Sequence, residues 1–255
     1  TPMLWEELSW PRHKETAEAG ATVVMPFASI EQHGPHNPVA VDSCLVTNVC
    51  AKAIEGLDNV LQTPTFWAGL ALHHMGYPGT LSLRLETYIA AIQDLVRSVA
   101  AHGYRKILLV NGHGGNHASI QAATLPLRQE LTVELWVITY FHLGNEIAGQ
   151  IRQSDIGGMA HSGEFETSMM LHLRPDLVDM DAAVKNPNVP RHPLMTRDMH
   201  HRGPLYRPPD FNRDKGPSGV SGDPTAADAE RGAQYLEATA ARLREIVQSL
   251  AAQQG

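Results

Sequence analysis

Side chains of the types that bind metal ions cluster in the segment SIEQHGPHNPVAVD, residues 29–42. Glu31 and His33 are two residues apart, so an extended chain would point both to the same side, where one cation could bind both. Asp42 immediately precedes a helix-like run, SCLVTNVCAKAI, where its carboxylate could cap the helix or bind a metal ion. Taken singly, His33 and His36 are most simply loop histidines and Asp42 a cap, but their clustering favours a metal site.

A second cluster, NGHGGNH, directly follows the aliphatic run KILLV. His113 is flanked by glycines, which allow the backbone to turn sharply and to approach a ligand closely. Asn116 and His117 add polar groups at the same turn. Such a turn could instead bind a phosphate, but it lacks the P-loop lysine and the glycine spacing of dinucleotide sites. We therefore favour His113 as a metal ligand.

The third cluster lies in a Gly-rich turn and the start of a helix, HSGEFETS. Glu164 is a candidate metal ligand and catalytic residue. Glu166 falls in the first helical turn, where a carboxylate complements the helix dipole and is more often structural. His161 is a candidate proton shuttle, because an imidazole titrates close to the working pH.

A fourth polar stretch, AGLALHHMGYPGT, has too many glycines and prolines for regular structure and is long enough to shape a pocket. His74 is the alternative proton shuttle, although His73 and His74 could equally be a loop pair in contact with solvent. We predict that the substrate contacts four residues of these stretches: His36, His73, Tyr77 and Asn116.

Two Glu, two His and one Asp would suit a pair of divalent ions that share a carboxylate. Asp42 is the natural bridge, because one aspartate has two oxygens to share. Such ions, ~3.5 to 4 Å apart, lower the pKa of a bridging water and polarise a substrate carbonyl, which leads to hydrolysis. Imidazole and carboxylate ligands without thiolates favour Zn, Mn or Fe.

The elements that must position these clusters alternate along the chain. Runs of β-branched and aliphatic residues predict strands at residues 22–27, 60–67, 106–112 and 133–141. Amphipathic and apolar runs predict helices at residues 43–56, 85–102, 116–130, 164–173 and 225–252. This order predicts an α/β fold of three layers, α/β/α, around a mostly parallel sheet, with ligands beyond the C-terminal ends of the strands.

Length and composition exclude several classes of function. A chain of 255 residues, 43% hydrophobic and 18% charged, fits one globular enzyme domain over residues 1–255. A net charge of −7 gives no basic surface for nucleic acid or an anionic membrane, so we expect a small-molecule substrate. Two cysteines and no apolar run of ~18 residues indicate a cytoplasmic protein. Residues 175–224 lack periodicity, which predicts a lid, a subunit contact or a mobile loop.

Four motifs together, SIEQHGPHNPVAVD, YPGTLSL, NGHGGN and HSGEFETS, resemble the creatininase family of metal-dependent amidohydrolases over residues 5–232. The resemblance implies a compact α/β fold, a two-metal centre and often a homohexamer. Members of the family open creatinine, remove a formyl group from a pyrimidine intermediate or cleave a peptide. Carried over by residue, it implies that Glu31, His33, Asp42 and His113 are metal ligands, with Asp42 bridging, and that His161 is the histidine of the catalytic region.

The chain departs from the family's creatinine-hydrolysing members at two places. Gly115 stands where those enzymes have a glutamate, and the HSGEFETS motif implies Glu164 as its replacement. The turn DIGGMA, before His161, also lacks a tryptophan of the kind that encloses creatinine. Both departures argue against creatinine itself as the substrate.

Three functions remain open from the sequence. The first is a metal-dependent hydrolase whose metal-bridging hydroxide attacks a carbonyl in a small, polar, cyclic substrate and breaks a C–N bond. The second is a ring-opening hydrolase of a cyclic keto-sugar or inosose-like compound, since residues 191–213 are rich in Arg and His donors. The third, of another class, is a metal-binding subunit without catalytic activity.

Overall fold

A computed structural model of the protein describes residues 1–208 and 216–253. Residues 209–215, which belong to the irregular segment predicted at 175–224, and residues 254–255 lie outside the described residues.

A five-stranded sheet forms the centre of the fold, and every neighbouring pair of strands is parallel. Its order is β1-β3-β2-β4-β5, with the bounds β1 (Met3–Leu4), β2 (Thr22–Phe27), β3 (Val60–Gln62), β4 (Lys106–Asn111) and β5 (Glu134–Thr139). The two inner strands β2 and β4 are almost entirely buried. Their continuous apolar sequences, TVVMPF and KILLVN, are typical of strands that are covered on both faces.

Helices cover both faces of this sheet, which confirms the predicted three-layer α/β/α architecture. Their bounds are α1 (Trp10–Glu18), α2 (Val41–Ile54), α3 (Leu85–Ala101), α4 (His117–Glu130), α5 (Asn145–Ile151), α6 (Glu164–Leu173) and α7 (Ala229–Ala252). One apolar core lies between the sheet and α2, α5, α6 and α7. A second lies on the opposite face, against α1, α3 and α4.

Two features of the sheet differ from the sequence prediction. The strand predicted at residues 60–67 ends at Gln62, because Pro64 cannot donate to a sheet ladder. The edge strand β1 was not predicted, since two residues carry no periodicity. In its described part the irregular segment contains isolated β-bridges, such as that between Asn186 and Gly222, and short 3₁₀ turns at Pro175–Leu177, Met180–Ala182 and Pro224–Ala226.

The carboxyl ends of β2 and β4 lie side by side. Phe27 pairs with Asn111, and the N–H of Gly112 donates to the carbonyl of Phe27 at 2.7 Å. The chain therefore leaves both strands at one point, which brings Glu31 and His113 to the same edge of the sheet. Among the described helices, no segment is both long and apolar enough to span a membrane.

Candidate metal centre

Asp42 lies in the first turn of α2 with its carboxylate between two histidines. It does not cap the helix, because the N-cap position is Ala40. Its Oδ1 lies 3.3 Å from His33 Nε2, and its Oδ2 lies 3.1 Å from His113 Nδ1. Asp42 is 3% exposed, so solvent does not separate these groups. Each oxygen of this carboxylate thus faces a different histidine.

Glu31 is the second carboxylate of the cluster, and three imidazole rings approach it. Its Oε2 lies 3.2 Å from His113 Nε2 and accepts a hydrogen bond from Ser29 Oγ at 3.2 Å. Its Oε1 lies 3.3 Å from His74 Nε2 and 3.5 Å from His161 Nδ1. The loop after β2 therefore places Glu31 where the turns from β4, from residues 72–74 and from residues 157–163 converge.

Glu166 supplies the third carboxylate. Its Oε1 lies 3.8 Å from His33 Nε2, and its Oε2 accepts a 2.6 Å hydrogen bond from the N–H of Ser162. Ser162 adopts a positive φ of 59° immediately before α6. The interpretation of Glu166 as a structural residue is therefore corrected: its carboxylate belongs to the same cluster as His33 and Asp42.

Glu164, by contrast, is turned away from these histidines. Its oxygens accept hydrogen bonds from the N–H groups of Gln153 and Ser154, at 2.7 to 3.1 Å, and from the Tyr235 hydroxyl at 3.1 Å. Arg231 Nε lies 3.6 Å from one of them. This arrangement overturns the prediction of Glu164 as a metal ligand and catalytic residue, because its carboxylate joins the turn after α5 to α7.

The donor atoms fit a metal ion on two observations. His33 Nε2 and Asp42 Oδ2 are buried without a hydrogen-bond partner among the described residues, although ionisable atoms lie close to both. Three sets of side chains also bring one ligand atom each to within 4.8 Å of one another: Glu31, His73 and His113; Glu31, His33 and His161; and His33, Asp42 and Glu166. Buried carboxylates and imidazoles without thiolates suit Zn, Mn or Fe.

The pKa values of the cluster show how strongly it favours positive charge. Burial alone would lower the pKa of His113, but Glu31 and Asp42 outweigh it and raise the pKa to about 9. Burial is likewise outweighed at His33, whose pKa Asp42 and Glu166 raise well above its usual value. The histidines in turn lower the pKa of Asp42 to about 2, against the effect of burial. A bound cation would replace these protons as the positive charge that compensates the buried carboxylates.

The neighbours of Gly115 leave no space for a side chain at this position. A Cβ there would lie 2.4 Å from His113 Nε2, 2.5 Å from the Leu70 carbonyl oxygen and 2.9 Å from His73 Cε1. The ring of His73 stacks on that of His113 with centroids 5.6 Å apart. His73 thus occupies the space beside His113, within reach of the candidate metal ligands Glu31 and His113.

Asn116 has a different place from the one predicted. It is fully buried, its Nδ2 donates to the Ala28 carbonyl at 3.0 Å and its Oδ1 accepts from the Leu70 N–H at 2.9 Å. The side chain ties two loops together, so the prediction that it contacts the substrate is corrected.

His36 and Tyr77, two of the predicted substrate contacts, both make hydrogen bonds within the protein. His36 is 1% exposed, and its Nε2 lies 3.1 Å from Thr167 Oγ1. Burial, followed by the charge of His33, lowers the pKa of His36 to about 4, so it stays neutral. The Tyr77 hydroxyl donates to the Gly216 carbonyl at 2.5 Å, which joins the loop of residues 72–80 to the segment before α7.

Two residues of the site were missed from the sequence as functional residues. Glu166 lies two positions from Glu164, and only the direction of the turn before α6 decides which of the two faces His33. Gln32, between the candidate ligands Glu31 and His33, is 6% exposed and contacts His74 and His161. The sequence could have indicated Gln32, because it lies inside the first motif, SIEQHGPHNPVAVD.

Several known proteins are similar to this chain in sequence. The family model described as creatininase, creatinine amidohydrolase, matches residues 6–247. A creatinine amidohydrolase of Pseudomonas putida is 33% identical over 196 residues, which cover 71% of this chain and 75% of that protein. A mycofactocin precursor peptide peptidase of Mycolicibacterium smegmatis is 32% identical over 82% of this chain and 77% of that protein. A 3-dehydro-scyllo-inosose hydrolase of Thermotoga maritima is 24% identical over 98% and 84%.

The fold agrees with solved structures as well. A crystal structure of creatinine amidohydrolase superposes with a TM-score of 0.81 and 26% identity, and the match covers 100% of both chains. Other creatininase structures at 26% identity are described as a manganese form and a Zn-Zn form.

Proposed function

This chain belongs to the creatininase family, whose members are metal-dependent hydrolases, and from that premise we propose that it hydrolyses a C–N bond of a small polar substrate with the help of two divalent ions. One observation carries the proposal: the two oxygens of Asp42 face His33 and His113, at 3.3 and 3.1 Å. A single buried carboxylate is thereby shared between two sets of donors, as a pair of ions requires.

The donors divide naturally about Asp42. Glu31 and His113 on one side would hold the first ion together with Asp42, since His113 lies 3.2 Å from Glu31 Oε2 and 3.1 Å from Asp42 Oδ2, and His73 lies within reach of Glu31 and His113. His33 and Glu166 on the other side would hold the second ion together with Asp42. Zn, Mn or Fe bound there would lower the pKa of water and polarise a carbonyl.

His161 is the residue best placed to move a proton. Its side chain is 15% exposed, whereas those of His33, His74 and His113 are 0 to 4% exposed, so it lies where the cluster meets solvent. Its Nε2 donates to the Gln32 carbonyl at 2.8 Å, which leaves Nδ1 directed at Glu31. An imidazole held in this way can accept a proton at Nδ1 and return it to a leaving group.

The relatives define the range of substrates. The names of two of them refer to creatinine and to a peptide, and both substrates contain a C–N bond at a carbonyl. We therefore propose an amide-type bond, in a small polar and cyclic compound, as the bond that is broken. Gly115, where the family resemblance implies a glutamate in the creatinine-hydrolysing enzymes, and the absence of a tryptophan before His161 argue against creatinine, so creatinine itself is not the substrate that we propose.

A second candidate is a ring-opening hydrolase that acts on a cyclic keto-sugar or inosose-like compound. The inosose hydrolase of Thermotoga maritima favours it, because that relative matches 98% of this chain. The same metal ligands would serve, since both reactions require a polarised carbonyl.

A substrate panel tests both candidates. Protein loaded with Mn, Zn or Fe is assayed against cyclic amides, short peptides, lactones and cyclic polyhydroxy ketones. We expect turnover of a cyclic amide, and a loss of about 100-fold or more in Glu31→Gln, because this removes a charged metal ligand. Glu134→Gln, which changes an exposed glutamate of β5, is the control and should retain full activity. Turnover of ketones alone would favour the second candidate, and metal binding without turnover of any compound would favour a non-catalytic subunit.

A further inference from the structure

Gln32 joins four parts of the chain around the candidate metal centre. Its backbone N–H donates to Thr80 Oγ1 at 3.1 Å, and its side-chain Oε1 accepts from the N–H of Gly34 at 2.9 Å. Its Nε2 lies 2.9 Å from the Gly219 carbonyl oxygen and 2.8 Å from His74 Nδ1. Because Oε1 is held by an N–H donor, the orientation of the amide follows from its contacts.

The amide has two hydrogens and three possible acceptors. A carbonyl can only accept, so the Gly219 oxygen receives one hydrogen. The second must go to His74 Nδ1 or to His161 Nε2, which lies 3.0 Å from Gln32 Nε2. His161 Nε2 also lies 2.8 Å from the backbone oxygen of Gln32, another group that can only accept, so this ring nitrogen carries its own proton. The second amide hydrogen therefore goes to His74 Nδ1.

The two histidines then present opposite groups to one carboxylate oxygen. With its Nδ1 accepting, neutral His74 carries its proton on Nε2, 3.3 Å from Glu31 Oε1. With its Nε2 donating, neutral His161 directs the unprotonated Nδ1 at the same oxygen, 3.5 Å away. In their neutral tautomers the two rings therefore present a donor, His74 Nε2–H, and an acceptor, His161 Nδ1, to the same side of the site.

We propose that Gln32 is a positioning residue that fixes the ring tautomers of His74, through its side-chain amide, and of His161, through its backbone carbonyl. The side chain acts through His74 on the orientation of Glu31 and does not itself touch metal or substrate. Only the consequence for turnover rests on the proposed function; the tautomers are a property of the folded protein.

Gly219 packs closely against the side-chain amide of Gln32, and this contact fixes the position of the amide. Gly219 has a φ of +74°, and a Cβ there would lie 2.1 Å from Gln32 Oε1. The segment before α7 can therefore reach the amide only as a glycine.

Nitrogen NMR of the histidine rings tests the proposal. Zinc-loaded protein labelled with ¹⁵N in its histidines gives long-range ¹H–¹⁵N correlations that separate the two tautomers, and spectra of His74→Gln and His161→Gln assign the two rings. We expect Nε2–H for both rings in the wild type. Gln32→Met removes the donor at equal length and should mix the tautomers of His74, whereas Gln32→Glu, which can only accept, should move the His74 proton to Nδ1.

Gln62→Met is the matched control, because Gln62 is a glutamine of β3 that is 2% exposed and whose amide donates to the Thr47 carbonyl at 3.4 Å. It should leave both tautomers and kcat unchanged, whereas Gln32→Met should lower kcat about 10- to 100-fold with little change in KM. Nδ1–H on His74 in the wild type, or an unchanged His74 tautomer in both Gln32 variants, would overturn the proposal. If neither variant folds, the wild-type spectrum alone decides. A protein without turnover but with the expected tautomers would reject the proposed function and keep this inference.

Discussion

Glu164 and Glu166 are two buried glutamates in one helical turn with opposite surroundings. Glu164 meets backbone N–H groups, a tyrosine hydroxyl and Arg231, all of which compensate its charge within the protein. Glu166 meets His33 and one N–H of Ser162. One carboxylate is therefore structural and the other is available to a metal ion.

We predict that Glu166→Gln and Glu164→Gln separate these two roles. Glu166→Gln should lose about one equivalent of bound metal and at least ~10-fold in turnover, because a charged ligand becomes a neutral amide. Glu164→Gln should keep its metal but lose about 1–3 kcal/mol of unfolding free energy, since a buried hydrogen-bond acceptor is partly replaced by a donor. Elemental analysis and urea denaturation measure the two effects. Equal metal loss in both variants would argue against the assignment.

The same pair shows what residue types alone could and could not predict. The convergence of Glu31, His33, Asp42 and His113 at one edge of the sheet was predicted from the sequence, because each follows the end of a strand or begins a helix within a few residues. The place of Glu166 in the cluster was not predicted. Side chains two residues apart on a helix are rotated by about 200° around its axis, so the one that faces His33 depends on how the preceding turn enters the helix.

Helices α6 and α7 cross at a glycine. A Cβ on Gly232, in the first turns of α7, would lie 1.9 Å from the Ser168 carbonyl oxygen of α6. Since α6 carries Glu166, this close contact also fixes the position of a candidate ligand. Gly149 in α5 is the contrasting case, because a Cβ there would meet nothing within 4 Å.

We predict opposite effects of alanine at these two glycines. Gly232→Ala should lower the unfolding free energy by about 1–3 kcal/mol, because backbone must move to admit the methyl group. Gly149→Ala should raise it by about 0.5–1 kcal/mol, because alanine loses less conformational freedom in a helix. Thermal and urea unfolding of both variants measure the difference. A neutral Gly232→Ala would mean that the two helices can separate without loss.

Asp198 holds part of the irregular segment to the turn after α5. Its Oδ2 accepts from Gly157 N–H at 2.9 Å and from Arg152 Nη2 at 2.8 Å. Burial alone would raise the pKa of this carboxyl, but the Gly157 N–H and the Arg152 guanidinium outweigh it and lower the pKa. A lowered folded-state pKa means that the stabilisation is complete above the unfolded value of about 3.9 and is lost as the pH falls through the folded value.

We predict that Asp198→Asn lowers the unfolding free energy by about 1–3 kcal/mol at pH 7, because it weakens a buried charge-assisted contact. Below about pH 4 the wild type loses the same contribution, so the difference between the two proteins should shrink. Urea unfolding at several pH values measures it. Asp176→Asn, at an exposed pair with Arg174, should change little. A difference that does not depend on pH would contradict the assignment.

The longer strands and helices were predicted from the sequence, whereas the short edge strand β1 was not. The strand Thr22–Phe27 and the helix Glu164–Leu173 have the predicted bounds, because a continuous apolar run defines the strand, and Gly163 and Pro175 flank the helix. β1 depends on pairing with β3 across more than fifty residues, which no local pattern records. The loops that carry His73 and Gln32 depend on such distant contacts too.

For the molecule as a whole, metal binding and folding are expected to be linked. The cluster buries Glu31, Asp42 and Glu166 among histidines at the meeting point of α2, α6 and the two central strands. An ion bound only by the folded chain stabilises it by mass action.

Homo-oligomer formation, which the family resemblance implies, remains a prediction and is measured by light scattering of the same samples.

We predict that Mn²⁺ at about 100 times its dissociation constant stabilises the protein by about 2.7 kcal/mol. For a chain of this size that corresponds to a rise of roughly 5–10 °C in Tm. Asp42→Asn should fold but show a much smaller rise, because Asp42 faces both sets of donors. Calorimetry with increasing Mn²⁺, and after removal of metal by a chelator, measures the shift. Equal Tm values with metal and with chelator in the wild type would mean that these buried charges are compensated by protons alone, and the two-ion proposal would fail.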